Sequence, residues 1–263
     1  MSAEFEHLKQ TWFELGRDDP LWAVLSLPDK RGGKWSVDEF LQTGEREVAG
    51  YHRLLREHAG AGASFDEVLD FGSGVGRLCL AWSRRSRAVT GVDISASMIA
   101  RAQSMASGVV NVRYVLNEKP DLAVFADHRF ELVASHICLQ HIPWNIAALY
   151  IAEFGRVCRP GGFVAFQMLS RLVKPNRRAR ARKFVVEHLP FGLGNLYRRL
   201  RHGTGVAFEM YFTVPEKVVA VASAAGLREV HREPDGSGGS DSEGFIYVFR
   251  KEPSAISAVG VRS

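Results

Sequence analysis

The sequence predicts an α/β protein built on a doubly wound, mostly parallel sheet. Three observations carry that prediction. Short apolar runs alternate with helix-patterned segments from Glu67 to Leu169, the pattern of repeated βα units with helices on both faces. The first run ends in a glycine-rich turn, Gly72-Ser73-Gly74-Val75-Gly76, that leads into a helix. The last two runs read as a hairpin, which adds one antiparallel strand.

Each element has its own signal. Residues 1–60 read as an N-terminal helical cap rich in aromatics, with turns at Asp19-Pro20, Pro28-Asp29 and Gly32-Gly33. Within it a helix is expected from Val37 to His58, with Ser36 as N-cap and Glu39 three residues on. The core is expected over 61–252. Its first strand is Glu67–Phe71, followed by a helix over Gly76–Arg84 and a second strand over Ala88–Ile94. Ser95 can cap a helix whose Met98, Ile99, Ala102 and Met105 share one face. Strands are expected at Val110–Leu116 and Phe130–Ser135. Pro143 suits the first turn of a helix carrying Ile146, Leu149, Tyr150, Phe154 and Val157. That helix stops at Arg159-Pro160-Gly161-Gly162, and a fifth strand covers Phe163–Leu169. A helix over Pro215–Ala225 precedes the closing strands, Leu227–Glu233 and Phe245–Lys251. Pro234–Gly244 between them is polar and glycine-rich and reads as a mobile linker, and 253–263 reads as a disordered tail.

The 263 residues suffice for one large domain, or one domain with a small cap. No apolar run approaches the ~18 residues of a membrane span. The mixed-charge start MSAEFEHLKQTW has no signal-peptide core, which predicts a cytoplasmic protein. Cys79, Cys138 and Cys158 sit in apolar surroundings and read as reduced core thiols, not a disulfide or a metal site. The net charge of +5 is local in origin: Arg171 to His202 holds ten Arg and Lys against the single acid Glu187. An insertion over 171–212 is therefore expected to form a basic lid.

The glycine turn points to a cofactor. Glycine tolerates positive φ and holds no side chain against a ligand, so backbone N–H groups are expected to meet a polar group here. The dinucleotide fingerprint G-x-G-x-x-G fails, because Arg77 stands where its third glycine belongs. Asp70, just before the turn, repels a pyrophosphate and welcomes a cation. S-adenosylmethionine has no phosphate and carries an ammonium and a sulfonium. Asp93 closes the second strand about 20 residues after the turn, where a carboxylate binds ribose hydroxyls in nucleotide folds; its bland reading is a helix cap. Ile94 and Met98 are placed to sandwich the adenine, although core packing also explains Met98. Asn117 or Glu118 ends the third strand, where an adenine N6 contact is expected.

The segments VLDFGSGVGRL, VTGVDIS, FELVASHICLQHIP and FGRVCRPGGFVAF, which span Val68 to Leu169, resemble successive motifs of the class I S-adenosylmethionine-dependent methyltransferases. The resemblance implies a seven-stranded sheet with an antiparallel last strand. It places Asp70 near the methionine moiety, Gly72 and Gly74 under the cofactor, and Asp93 on the ribose. Ser73, Gly76, Ile94, Met98, Asn117 and Ser135 complete the expected cofactor set, with S-adenosylhomocysteine as product. Strand three departs mildly, with Asn117-Glu118 where Gly-Asp is common. The N-terminal WFELGRDDPLWAVLSLPDKRGGKW also looks like the start of a bacterial subgroup.

For the chemistry, His136 just past strand four and His141 five residues later are candidate bases for deprotonating a hydroxyl acceptor. A backbone-orienting role for His136 and a helix-entry role for His141 compete with that reading. Trp22, Trp35, Glu209 and Tyr211 are candidate acceptor contacts. The place of an Asn/Asp-Pro-Pro-Tyr/Phe motif is taken by Ser135-His136-Ile137-Cys138, and no Pro-Cys nucleophile is present, which disfavours nucleobase acceptors. A small-molecule hydroxyl is expected, on a sugar, glycolipid precursor or natural product, with an anionic group for the lid arginines to grip. The competing readings are an RNA methyltransferase using the basic insertion, a non-catalytic S-adenosylmethionine-binding protein and, more distantly, a nicotinamide oxidoreductase.

Overall fold

The computed structural model describes residues 2–60, 64–173, 209–239 and 241–253. Helix α1 (Ala3–Asp18) starts on Ser2, whose side chain accepts from the Phe5 N–H. A short α2 (Pro20–Val24) follows, with Pro in its first turn. Helix α3 (Val37–Ala59) begins at Ser36, which accepts from Glu39 N–H, and stops at Gly60 with φ of 93°.

Seven strands form one sheet: β1 (Glu67–Phe71), β2 (Ala88–Asp93), β3 (Val112–Leu116), β4 (Phe130–Ser135), β5 (Cys158–Leu172), β6 (Leu227–Asp235) and β7 (Ser242–Lys251). Their order is β3-β2-β1-β4-β5-β7-β6. The first five run parallel, and β7 is antiparallel to both β5 and β6. Helices α4 (Arg77–Trp82), α5 (Ala96–Met105), α6 (Trp144–Val157) and α7 (Pro215–Ala224) complete the fold.

The strand order reverses between β1 and β4, the place where a doubly wound sheet leaves a crevice outside the carboxyl ends of its strands. One face of the sheet packs Phe71, Phe166 and Phe249 against Tyr150, Ile151 and Phe154 of α6. The other face packs Val68, Val89 and Ala165 against α3 and α4 through Val48, Tyr51, Leu55 and Trp82. A third cluster joins the cap to α5 through Leu15, Trp35, Phe40, Val75 and Met98. The cap thus shares its apolar surface with the sheet domain.

Three boundaries depart from expectation. β5 begins at Cys158, five residues early. Phe130 pairs with Cys158 and Leu132 with Phe163, so the Arg159–Gly162 turn is a bulge inside the strand pairing. The linker expected over Pro234–Gly244 narrows to 236–241, because β5 is long enough to pair Leu172 with Ser242. Strand β3 starts at Val112; Val110 is fully exposed. Of the expected lid, Arg171 and Leu172 belong to β5. Its basic residues from Lys174 to Arg201, and the tail expected over 253–263 apart from Pro253, lie outside the described residues.

Candidate functional site

The turn after β1 folds back over β2. Gly72 N and Ser73 N both donate to Val92 O, at 2.9 and 3.1 Å, and Gly74 N donates to Asp93 Oδ2 at 2.8 Å. These three amides are spent inside the protein, contrary to the expectation that they meet the cofactor. A pyrophosphate would find no cradle of free N–H groups in them. Glycine is required for another reason: a Cβ on Gly72, which has φ of 71°, would run into Cys138, and one on Gly74 would lie 2.8 Å from Val24 of the cap.

Above this turn lies a cleft roofed by Leu8, Trp12 and Val24 of the cap. Its floor and walls include Asp70, Phe71, Gly72, Ser73, Gly74, Asp93, Ile94 and Asn117. Asp70 is buried, and the thiol of Cys79 donates to its Oδ2 at 3.1 Å. Burial pushes its pKa up to about 7, with nearby Asp93 adding to the rise and Cys79 and Arg77 opposing it. Asp93 takes one backbone N–H on each oxygen, from Gly74 and Ser95, both at 2.8 Å. Burial lifts its pKa to about 6 against those two bonds. Ser95, not Asp93, caps α5 by accepting from Met98 N–H. Each Asp93 oxygen keeps acceptor capacity for a further donor. Asn117 donates its amide to Lys119 O and Asp121 O, so its oxygen remains as an acceptor.

The donor set suits a cation with a diol. Among the described residues two carboxylates line the cleft, and the one Lys or Arg there, Arg77, is paired with Glu47 of α3 at 2.7 Å. That arrangement fits the ammonium, sulfonium and ribose of S-adenosylmethionine and disfavours a phosphate.

Seven of the expected site residues do not line the cleft; two of them, Glu209 and Tyr211, line a second cavity instead. Gly76 is the left-handed N-cap of α4, packed under Tyr114. Met98 is fully buried in the cap–α5 cluster, pressed against Gly16. Ser135 is the buried last residue of β4. Trp22 donates its indole N–H to Leu27 O, beneath Arg31. Trp35 donates to Leu25 O and packs on Phe40 inside the cap. The cap aromatic that reaches the cleft is Trp12.

The histidines differ. His136 lines the cleft, but Tyr51 OH lies 3.0 Å from its Nδ1 and Glu47 Oε2 lies 3.4 Å from its Nε2. Both ring nitrogens face cap residues, and burial lowers its pKa. His136 thus ties α3 to the sheet through both ring nitrogens. His141 stands in the turn after β4, in contact with Trp12. It lines both this cleft and a second cavity. Glu4, His7 and Thr11 of α1 form one wall of that cavity, and Glu209 and Tyr211 form another. His141 Nδ1 lies 2.8 Å from Glu209 O, and Tyr211 OH is hydrogen-bonded to Glu209 Oε2. Burial lowers the His141 pKa as well.

Ile137 has φ of 49°, a strained conformation for a β-branched residue, and it lines the cleft beside Cys138. The cleft residues that sequence reasoning missed include Leu8, Trp12, Val24, Arg77, Ile137, Cys138, Ile142 and Tyr150. For the first two a signal existed: Phe5, Leu8, Trp12 and Leu15 recur at helical spacing. Among the described residues no cluster of His, Cys, Asp or Glu could hold a metal ion, and no helix is long and apolar enough to cross a membrane.

Fold and cleft together define a nucleoside-binding transferase of the class I type. A family model described as a methyltransferase domain matches residues 68–162. The ubiquinone biosynthesis O-methyltransferase of Bordetella avium is 30% identical over 184 residues, 69% of this chain and 68% of that protein. Its counterpart in Saccharophagus degradans is 27% identical over 203 residues, 76% of this chain and 74% of that protein. The magnesium protoporphyrin IX methyltransferase of Synechocystis, solved with bound S-adenosylhomocysteine, superposes with a TM-score of 0.64 at 15% identity. That match covers 95% of this chain and 100% of the other. The chain belongs to the class I S-adenosylmethionine-dependent methyltransferases. It is a methyltransferase, and S-adenosylmethionine is its cofactor.

Proposed function

We propose that this enzyme methylates a hydroxyl of a small-molecule acceptor held between α1 and the segment 209–211, with His141 as the base. One observation carries the reading: His141 is shared by the cofactor cleft and the second cavity. A group at that junction can touch an acceptor oxygen while the methyl donor lies behind it. The O-methyltransferase names of the relatives support a hydroxyl or carboxyl acceptor, including the malonyl-[acyl-carrier protein] O-methyltransferase of Salmonella typhimurium, 28% identical over 196 residues.

Asp70 would hold the cofactor's ammonium, Asp93 its ribose hydroxyls, and Asn117 Oδ1 the adenine amino group. Ile94 would pack on the adenine. The cofactor supplies a methyl group on a positively charged sulfur, a good leaving group. Tight closure of Leu8, Trp12 and Val24 over the turn excludes water and fixes the acceptor's approach, which provides much of the rate in a displacement of this kind. His141 Nε2 accepts the proton that the hydroxyl loses as its oxygen becomes methylated.

The second cavity carries Glu4 and Glu209 and no Lys or Arg among its described lining residues. An anionic group on the acceptor would have to reach the arginines of the insertion, outside the described residues. The reaction is assigned to the cytoplasm, in keeping with three free cysteines among the described residues.

The test is release of S-adenosylhomocysteine with a panel of phenols, catechols, polyols and acyl carboxylates. At least one should support turnover, and His141→Ala should lower kcat at least 100-fold with little change in cofactor affinity. Silence across the panel, or full turnover by His141→Ala, would overturn the reading.

A further inference from the structure

His141 does not stand alone. Its Nδ1 faces the carbonyl of Glu209 at 2.8 Å. A carbonyl only accepts, so Nδ1 carries the hydrogen. In the neutral ring Nε2 then holds a lone pair, and the Gln140 amide nitrogen lies 3.1 Å from it. That nitrogen donates, which turns Gln140 Oε1 away from the ring. There it accepts from Gln167 Nε2 at 3.2 Å. The chain of bonds runs Gln167 to Gln140 to His141 to the Glu209 carbonyl. Every member is oriented by the next, and Tyr211 N–H pins the turn by donating to Gln140 O at 2.8 Å.

Both glutamines are buried, Gln167 completely, on β5. Gln167 Oε1 has no hydrogen-bond partner. A buried polar atom left unmatched costs stability. A second arrangement gives this atom a partner and leaves the Gln167 amide nitrogen unmatched in its place, so the two arrangements are matched in hydrogen bonds. If both amides rotate, Gln140 presents its carbonyl to His141 Nε2, and Gln167 Oε1 accepts from the Gln140 amide. That arrangement requires hydrogen on Nε2 while Glu209 still requires it on Nδ1. It belongs to the imidazolium alone. The two amide orientations therefore correspond to the two charge states of the ring.

We infer that Gln140 and Gln167 are positioning residues that keep Nε2 of His141 unprotonated before reaction and, by rotating, accept its N–H once the proton has arrived. The inference rests on His141 as the base. The acceptor hydroxyl displaces the Gln140 amide from Nε2 and gives up its proton there; no other bond changes within the chain. Gln167 acts through Gln140: it holds the amide in the donating orientation, and it has an acceptor ready for the rotated one.

Among the described residues, the titratable groups lining the two cavities that His141 shares are Glu4 and His7 from α1, Glu209 and Tyr211 from the following segment, and Asp70, Arg77, Asp93, His136, Cys138 and Tyr150 around the cleft. All remain in place in the variants below, so their effect cancels in the comparison.

The test is the titration of His141 by nitrogen-15 NMR on the full chain, with its signal identified by its loss in His141→Gln. Gln167→Leu frees Gln140 to turn its carbonyl toward the ring and should raise the His141 pKa by about one unit. The acid limb of the kcat/KM profile should move with it. Gln167→Glu, which accepts only, should raise it further. In the Gln140→Leu background, Gln167→Leu should have no effect, because its action passes through Gln140. If Gln167→Leu does not fold, Gln167→Met takes its place. An unchanged His141 pKa in the folded Gln167 variants would overturn the inference. So would an equal shift with and without Gln140. The ring's titration is read without turnover, so full activity in His141→Ala would remove the base assignment while leaving the relay measured.

Discussion

Single residues show how polar atoms in the cleft are already committed before any ligand arrives. Asp93 is the clearest case. It binds the Gly74 and Ser95 amides at once, so it shapes the turn as well as offering acceptor capacity to a ribose. Asp93→Asn keeps the side chain's size but loses the charge and one acceptor oxygen. It should weaken S-adenosylhomocysteine by about tenfold to a hundredfold, roughly 1.5–3 kcal/mol, the range for hydrogen bonds to a charged group. Calorimetry at pH 8 checks this, and unchanged affinity would remove Asp93 from the ribose. His136 gives the contrasting expectation. Its partners Tyr51 and Glu47 belong to α3, and Glu47 also pairs with Arg77. Tyr51→Phe removes one buried bond between cap and sheet. The thermal midpoint should fall by a few degrees, from about 1–2 kcal/mol, while the acid limb of the rate profile stays put. Movement of that limb would make His136 the base.

At the scale of elements, the glycine turn is constrained from the sheet side. Gly76 has φ of 83°, and a Cβ there would meet the hydroxyl of Tyr114 on β3. Gly76→Ala therefore combines backbone strain of about 1 kcal/mol or more with a steric clash. Tyr114→Phe in the same chain removes the hydroxyl and should recover part of the lost stability in denaturant melts, leaving the strain. Absence of recovery would show that the clash is relieved by other means. This turn, the Ser36 and Ser95 caps and the βα alternation were legible in the sequence, because each depends on local chemistry: positive φ, a side-chain acceptor for free amides, an apolar period. The β5 bulge and the short hairpin linker were not, because register across strands decides them. The site divides along the same line. Asp70 and Asp93 stand at the carboxyl ends of β1 and β2, a position that local pattern alone marks. Trp22 and Trp35 could not be told from Trp12, because which aromatic faces the cleft depends on how the cap packs. The partners of His136 and His141 are remote in sequence, so the different surroundings of the two rings could not be read from it.

The whole molecule places its cofactor cleft between cap and sheet and leaves two carboxylates there with no unpaired cation among the described lining residues. Burial raises Asp70 to about 7 and Asp93 to about 6. A carboxylate whose pKa is higher in the folded state than in the unfolded chain stabilises the fold at low pH. That contribution is lost as pH rises through the folded value. The empty protein should therefore lose this contribution between pH 4 and 8, from both groups. His136 and His141 oppose it at the acid end: burial lowers both, so their contribution is lost as pH falls below about 6.5. The melting profile of the empty protein thus mixes two trends, and the bound cofactor separates them. An ammonium beside Asp70 favours the ionised form, so binding must expel whatever proton Asp70 holds. S-adenosylhomocysteine should bind more tightly as pH rises from 5.5 to 8 and release protons to the buffer, most of all below pH 7. Calorimetry in buffers of different ionisation enthalpy measures that release. Asp70→Asn cannot ionise, so it should weaken binding at pH 8 and flatten most of the pH dependence, leaving the smaller part owed to Asp93. Equal proton release from Asp70→Asn and the unaltered protein would show that the cationic end of the cofactor lies elsewhere.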